Sequence, residues 1–258
     1  DGMKRIAFRN AHLIDPASGL DAKGGLLVEN GRIADVGPRL FNDAEPNDPE
    51  VIDCRGLVLA PGLIDCRVFT GEPGAEHRES LESASNAAAV GGVTSMIVMP
   101  NTDPVIDEPS LVDFLLRRAQ ATAKVRVLPC AALTKGLAGE TMTEIGLLKE
   151  AGAVAFTDGD RSIANARVFR RALSYAATFD ALVISHAEDP ELVKGASATE
   201  GEFATRLGLP ASPAIAEAMM VERDIRLVEL TGARLHFGQI STRASLQIIA
   251  AAKARGVN

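Results

Sequence analysis

The sequence predicts an α/β fold: a (β/α)8 barrel of the TIM type, incomplete in this chain, preceded by a small β module. From Pro61 onward, short and almost wholly apolar strands alternate with amphipathic helices, as in a parallel sheet that is covered on both faces. Each strand–helix unit spans roughly thirty residues, which is the length of a βα repeat. The chain has 258 residues, of which 47% are hydrophobic, and this is enough to bury a large core.

The first sixty residues show a different pattern, of strands joined by turns. Two apolar runs within Gly25–Val36 flank Asn30-Gly31, a pair that favours a type I′ hairpin because both central residues take positive φ. We therefore expect a small β-sandwich-like domain of antiparallel character over residues 1–60. Its other predicted parts are strands at Lys4–Phe8 and Val51–Leu59 and a polar loop at Asn42–Asp48.

Residues 61–258 contain about six βα units, whereas a closed barrel needs eight. No glycine-rich dinucleotide fingerprint follows an early strand, which disfavours an open doubly wound sheet. We expect the chain to be part of a protein of roughly four hundred residues whose later segments complete the barrel. The predicted strands are Leu63–Val68, Thr94–Met99, Val125–Ala131, Ala153–Phe156, Leu182–His186 and Leu235–Phe237. The predicted helices are Ser80–Val90, Ser110–Ala123, Met142–Ala151, Ala166–Ala177, Pro213–Thr231 and Ala244–Arg255.

Charge and composition exclude several classes of function. With 27 basic and 34 acidic residues the net charge is -7, so we expect no nucleic-acid partner. No apolar run reaches the ~18 residues that a membrane span requires, so we expect no membrane partner. Three scattered cysteines indicate a reducing cytoplasm rather than a disulfide framework, and we expect Cys66 to be buried packing.

Catalytic groups of α/β barrels lie at the C-terminal ends of the strands. The predicted strands end in segments rich in polar residues and glycine, which makes these segments the candidate site. In chain order they are Pro61–Gly74, Met99–Thr102, Phe156–Asp160, Ser185–Asp189 and His236–Thr242.

These segments resemble a type I dihydroorotase of the amidohydrolase superfamily, the enzymes that close carbamoyl-aspartate to dihydroorotate in pyrimidine biosynthesis. The fourth strand reads Ala155–Asp158 and lacks the lysine that becomes carboxylated in relatives that open cyclic ureides, which favours the dihydroorotase branch. The matching blocks, in order, are Pro61–Asp65, Glu72–Gly74, Ala87–Thr94, Met99–Thr102, His186–Asp189, Thr199–Gly201 with Leu207–Pro210, and Ile240–Thr242.

The resemblance implies two zinc ions that share a bridging hydroxide, with an aspartate after strand eight as the proton shuttle. It assigns His186 and Asp158 as residual metal ligands and Asn101 as a substrate-binding residue. No catalytic residue is otherwise retained, and Asp158 is the one candidate for that role. Without the resemblance, His186 reads as a core histidine, and Asp158 and Asn101 read as turn-forming residues.

The sequence departs from the family pattern at four positions. Arg67 and Phe69 replace the two histidines of the first strand, and Gln239 replaces the histidine of the sixth. Gly71 replaces the arginine that holds the substrate carboxylate. Because Arg67 carries a permanent positive charge, we expect it to pair with Asp158 or Asp160 in place of a metal, and we expect little or no zinc.

Three hypotheses follow. The first is a pseudoenzyme, a catalytically impaired dihydroorotase homologue that forms a homo-oligomer and acts as a scaffold for aspartate carbamoyltransferase. The second is a working dihydroorotase or other cyclic-amide hydrolase with an altered metal site. The third is a binding module that keeps the ureide pocket.

Overall fold

The computed structural model describes residues 5–41 and 50–258, and the polar loop expected at Asn42–Asp48 lies outside the described residues. The chain divides into two compact units, Asp1–Leu63 and Ile64–Asn258. Among the described residues, no helix combines the length and apolar character needed to cross a bilayer.

The first unit contains one mixed sheet. Its order is β3-β2-β1-β4, and β5 also pairs with β1. The turn between β2 and β3 has φ of 51° at Asn30 and 76° at Gly31, which confirms the predicted hairpin. The strands are β1 (Arg5–Asp15), β2 (Leu20–Glu29), β3 (Arg32–Gly37), β4 (Glu50–Asp53) and β5 (Val58–Leu59).

Two expectations for this unit are wrong. The pairings of β1 with β2 and of β2 with β3 are antiparallel, but β4 and β5 both run parallel to β1. The single strand expected at Val51–Leu59 is interrupted by a turn at Gly56, where φ is +79°. The described residues of this unit form one sheet, so a sandwich-like second sheet is not seen among them.

The second unit contains a six-stranded sheet in the order β13-β10-β9-β8-β7-β6, parallel from β7 to β13. This arrangement confirms an incomplete (β/α) barrel. Its strands are β6 (Leu63–Val68), β7 (Val93–Val98), β8 (Arg126–Ala131), β9 (Ala155–Phe156), β10 (Leu182–Ser185) and β13 (Arg234–Phe237). A separate two-stranded sheet pairs β11 (Ala198–Thr199) with β12 (Ala211–Ser212).

Helices connect these strands and cover the sheet. Leu81, Leu148 and Phe169 of three helices are buried in one core with Met96 and Phe156 of the strands. Because parallel strands all end at the same edge of the sheet, this packing collects the candidate site residues at that edge. The helices are α1 (Leu81–Val90), α2 (Pro109–Thr122), α3 (Ile145–Glu150), α4 (Ala166–Thr178), α5 (Glu202–Leu207), α6 (Ile215–Thr231) and α7 (Arg243–Ala254).

Candidate functional site

Arg67 contacts the residues at two other predicted metal-ligand positions, Phe69 and Gln239. Arg67, near the end of β6, donates a hydrogen bond from Nη1 to Oε1 of Gln239, which follows β13. The guanidinium carbon of Arg67 also lies 5.2 Å from the ring centroid of Phe69. A cation, an aromatic ring and an amide therefore occupy positions where the resemblance implies imidazoles, and the cation bonds the amide directly.

The expected ion pair between Arg67 and Asp158 is wrong, because the Asp158 carboxylate is held elsewhere. Asp158 is buried, and its Oδ1 accepts the backbone N–H groups of Leu133 at 3.1 Å and Thr134 at 2.8 Å. Its Oδ2 accepts the hydroxyl of Thr134. Burial raises the pKa of Asp158, against the opposing effect of these hydrogen bonds. Both oxygens thus fasten the end of β9 to the segment after β8. Asp160 is exposed.

Asn101 follows β7 and lies against the turn after β9. A Cβ atom on Gly159, where φ is +71°, would come within 3.2 Å of the Asn101 side chain. Asn101 also lines a cavity of about 390 Å³ with Phe69 and Gly71. The structure thus brings together three predicted site residues, one proposed for substrate binding and two at degenerate positions.

Gly71 has no space for a side chain. A Cβ atom there would lie 2.1 Å from the carbonyl oxygen of Ala75 and 2.7 Å from that of Glu79. Its own N–H donates to Glu79 at 2.9 Å. Backbone atoms of the loop therefore fill the space that a side chain would need at the position where the resemblance implies an arginine.

Glu72, for which sequence reasoning assigned no role, anchors this loop. Its carboxylate is buried and accepts the backbone N–H of Leu81, the first residue of α1, at 2.9 Å. It also accepts a hydrogen bond from Nε of Arg118 on α2. This pairing raises the pKa of Arg118. The paired acidic and basic residues lie 46 positions apart, so no local pattern signals the contact.

His186 has one nitrogen with a partner and one without. Nε2 lies 3.3 Å from Oε2 of Glu188, whereas the buried Nδ1 has no hydrogen-bond partner in the described part of the chain. If the neutral ring donates from Nε2 to Glu188, Nδ1 keeps its lone pair. The residue lines a cavity of about 160 Å³ together with Thr199, Ser212, Glu217, Gln239 and Ser241.

Glu217 on α6 is a second residue that sequence reasoning missed. It accepts four hydrogen bonds of 2.7–2.9 Å from the backbone N–H and hydroxyl groups of Ser241 and Thr242. Burial raises the pKa of Glu217, but hydrogen bonds from Ser245, Thr242 and Ser241 outweigh that effect and lower the pKa to about 2. The Ser-Thr pair before the α7 pattern was the available signal, since such residues cap helices.

The structure also places Cys66 and three further histidines. Cys66 is exposed, so the expectation that it is buried is wrong; it lies on β6, a strand at the edge of the sheet. His12 lies 2.5 Å from Asp21, and His77 and His236 are exposed.

The residues at the strand ends do not fit a two-zinc centre. Structural and catalytic zinc sites need three or four nitrogen, sulfur or oxygen ligands around each ion. Within residues 5–41 and 50–258, no group of three His, Cys, Asp or Glu side chains is placed to hold a metal ion. His186 offers one free nitrogen, Asp158 has both oxygens occupied, and Arg67 adds a positive charge.

Comparison with known proteins places this site in a family context. Residues 56–245 match the profile of the dihydro-orotase-like family. A dihydroorotase from Syntrophotalea carbinolica is 44% identical over 252 residues, covering 98% of this chain and 58% of the relative. A dihydroorotase from Syntrophobacter fumaroxidans is 46% identical over 254 residues, covering 97% of this chain and 57% of the relative. The chain thus spans less than three-fifths of the length of these relatives.

Solved structures show the same fold. L-hydantoinase (dihydropyrimidinase) from Arthrobacter aurescens superposes with a TM-score of 0.83 at 21% identity, covering 99% of this chain and 57% of that chain. D-hydantoinase from Thermus sp. gives a TM-score of 0.74 at 24% identity, covering 98% of this chain and 56% of that chain. At such identities the likeness concerns the barrel and its β module alone. By its sequence match over most of its length, the chain belongs to the dihydro-orotase-like family.

Proposed function

We propose that this protein is a dihydroorotase-like member of the pyrimidine biosynthesis machinery whose barrel site does not hydrolyse cyclic amides. The contacts of Arg67 with Phe69 and with Gln239 are the observation that carries this proposal. A guanidinium cannot lose its proton near neutral pH, so it repels a divalent cation at the position where a ligand would be needed. The amide of Gln239 is in turn engaged by that guanidinium.

The second part of the proposal is a structural role. We propose a cytoplasmic homo-oligomer that acts as a scaffold for aspartate carbamoyltransferase, as the family resemblance implies for degenerate copies. Anchors such as the buried Glu72 with Arg118 support this role, because they hold the barrel loops in place independently of metal ligands. A scaffold needs the folded surface and does not need the zinc centre.

One observation favours an alternative, a hydrolase with an altered metal site. The buried Nδ1 of His186 has no partner in the described residues, and a single metal ion would satisfy it. This alternative requires a stoichiometric metal ion and measurable turnover.

Two measurements on the purified protein separate these proposals. Emission spectroscopy after incubation with zinc and dialysis gives the metal content, and an absorbance assay follows dihydroorotate hydrolysis. We expect well under one zinc ion per chain and no turnover. Stoichiometric zinc with turnover would establish the alternative.

The scaffold role needs its own experiment. Sedimentation velocity of a mixture with aspartate carbamoyltransferase from the same organism reports whether a complex forms. We expect a species heavier than either protein alone. Independent sedimentation of the two proteins at micromolar concentration would contradict the scaffold proposal.

A further inference from the structure

The segment from α5 to the start of α6 exposes several large apolar side chains to solvent. Phe203 and Leu207 on α5 are 71% and 57% exposed, and Leu209 follows directly after that helix at 39%. Ile215 and Met219, on the first turns of α6, are 53% and 50% exposed. Single exposed apolar residues are ordinary on a protein surface, whereas a group of them marks a place where another surface binds.

Helix α5 is held in a fixed orientation by backbone contacts at both of its ends. Before the helix, the N–H of Glu200 donates to the carbonyl oxygen of Ser212 at 2.9 Å. After it, the N–H of Leu209 donates to the carbonyl oxygen of Ala204 at 3.0 Å. Ala204 is buried, so one side of the helix faces the protein interior. The opposite side is therefore presented to solvent as a defined surface.

Two rows of side chains run along this surface of α5. Phe203 and Leu207 are four residues apart and share one helix face. Glu202 and Arg206, each one residue earlier, form a charged row beside them, and both are exposed. Within the described residues neither of these two charges forms an ion pair. An acidic first turn and a basic last turn suit the helix dipole, but this does not account for the apolar row next to them.

These two rows are complementary to themselves. In a two-fold symmetric dimer the same surface of each subunit packs against its copy. If the two-fold axis is perpendicular to α5 and lies in the interface, the two copies of the helix run antiparallel and their charged rows lie on the same side. Phe203 of one copy then meets Leu207 of the second copy, and Glu202 meets Arg206. A parallel arrangement would place the charged rows on opposite sides and leave them without partners.

We infer that a second copy of this chain docks on the Phe203–Leu207 face of α5, in an antiparallel pair that is fixed by Glu202 and Arg206 across a two-fold axis. The inference rests on the homo-oligomer of the proposed function and deepens it, because it names the surface and the arrangement of the two copies. The apolar row excludes water from the contact, and the charged row selects the antiparallel arrangement.

Charge reversal tests this arrangement, with sedimentation velocity over a series of micromolar concentrations as the measurement. We expect the unmodified protein to sediment as a dimer. Glu202→Arg and Arg206→Glu each place like charges opposite one another, so each should weaken dimerisation by about tenfold or more. An equimolar mixture of the two variants should dimerise again, because every contact in the mixed dimer joins a basic residue of one variant to an acidic residue of the other.

Arg171→Glu is the matched control, since Arg171 is exposed on α4 and the change alters the net charge as Arg206→Glu does. This variant should dimerise like the unmodified protein. Thermal unfolding checks that each variant is folded, and recovery in the mixture gives the same information independently.

The possible failures are distinguishable. A monomeric unmodified protein would overturn both the inference and the proposed homo-oligomer. Dimers that persist in both reversed variants, or a mixture that does not recover, would overturn the inference alone. Reversals that leave the dimer intact but abolish the complex with aspartate carbamoyltransferase would assign this face to that partner and would also overturn the inference.

Discussion

Glu217 on α6 accepts both the backbone N–H and the hydroxyl group of Thr242, the residue that caps α7, at 2.9 and 2.7 Å. Ser241 supplies two further hydrogen bonds of 2.8 Å each. One carboxylate thus fixes the start of α7 to α6 and completes part of the wall around His186. The same contact connects the stability of the fold to the shape of the cavity.

Glu217→Gln should therefore lower the free energy of unfolding by about 2 kcal/mol at pH 7, because the variant loses a charged acceptor. The pKa of Glu217 falls from its ordinary value of 4.5 to about 2 in the folded protein. A carboxylate whose pKa is lower in the folded state stabilises the fold at any pH above its unfolded-state pKa. That stabilisation is lost as the pH falls through the folded-state pKa. The difference between the two proteins should thus shrink from about pH 5 to about pH 2.

Urea denaturation at several pH values measures this difference. Glu222→Gln, on the same helix, is the control, because its ion pair with Arg226 is exposed and worth about 1 kcal/mol or less. If Glu217→Gln loses no more stability than Glu222→Gln, the four hydrogen bonds are not stabilising.

Asp224 provides a second stability prediction. It is fully buried on α6 and accepts the hydroxyl of Ser185 at 2.6 Å and two N–H groups of Arg223 at 2.9 and 2.7 Å. Asp224→Ala should cost about 3–5 kcal/mol, because it leaves a partly buried guanidinium without its charge partner. Asp113→Ala, which breaks an exposed pair with Arg117, should cost less than about 1 kcal/mol. Similar unfolding midpoints for the two variants would contradict this assignment.

Gly71→Ala tests the closed loop after β6. The added methyl group would meet the carbonyl oxygen of Ala75 at 2.1 Å, so we expect a loss of about 1–3 kcal/mol from overpacking. Gly201→Ala is the control, since a Cβ atom there meets nothing within 4 Å and the backbone is extended, with φ of 164°. Thermal unfolding of the pair distinguishes the cases, and equal stability would show that the loop opens readily.

Single restorations of the implied metal ligands should produce no dihydroorotate hydrolysis. The Arg67→His variant still lacks imidazoles at Phe69 and Gln239. The Phe69→His and Gln239→His variants each leave Arg67 in place. A zinc site acts as a unit of three or four ligands, so one added imidazole does not create it. The hydrolysis assay in excess zinc, with the unmodified protein as the control, measures this. Turnover by any one variant would show that the site was already competent to bind metal.

The sequence predicted the elements well where the signal was local. The strand at Leu63–Val68 was located to the residue, because two apolar residues directly follow the Pro61-Gly62 pair. The parallel pairing of β4 and β5 with β1 was not predicted, because it joins residues more than forty positions apart and depends on the whole sheet. Helix α5 was missed, since six residues are too few to establish a helical period.

The candidate site was also predicted only in part. The degenerate positions were identified from the order of the motifs, but their contacts were not. Arg67 was expected to pair with Asp158 or Asp160, yet Asp158 is held by backbone N–H groups and the hydroxyl of Thr134 on a neighbouring loop. The actual partner, Gln239, is uncharged and 172 positions away, so neither charge nor spacing indicated it.

The hydrogen bond between Arg67 and Gln239 also shows that the six-stranded sheet is curved. The two residues belong to β6 and to the segment after β13, the outermost strands of the six. In a flat sheet, five gaps of about 4.8 Å would separate those strands by roughly 24 Å, which is too far for two side chains to meet. The six strands therefore form a strongly curved sheet, not a flat one. The hydrogen bond between Arg67 and Gln239 therefore joins the two edge strands of the curved sheet across its open side.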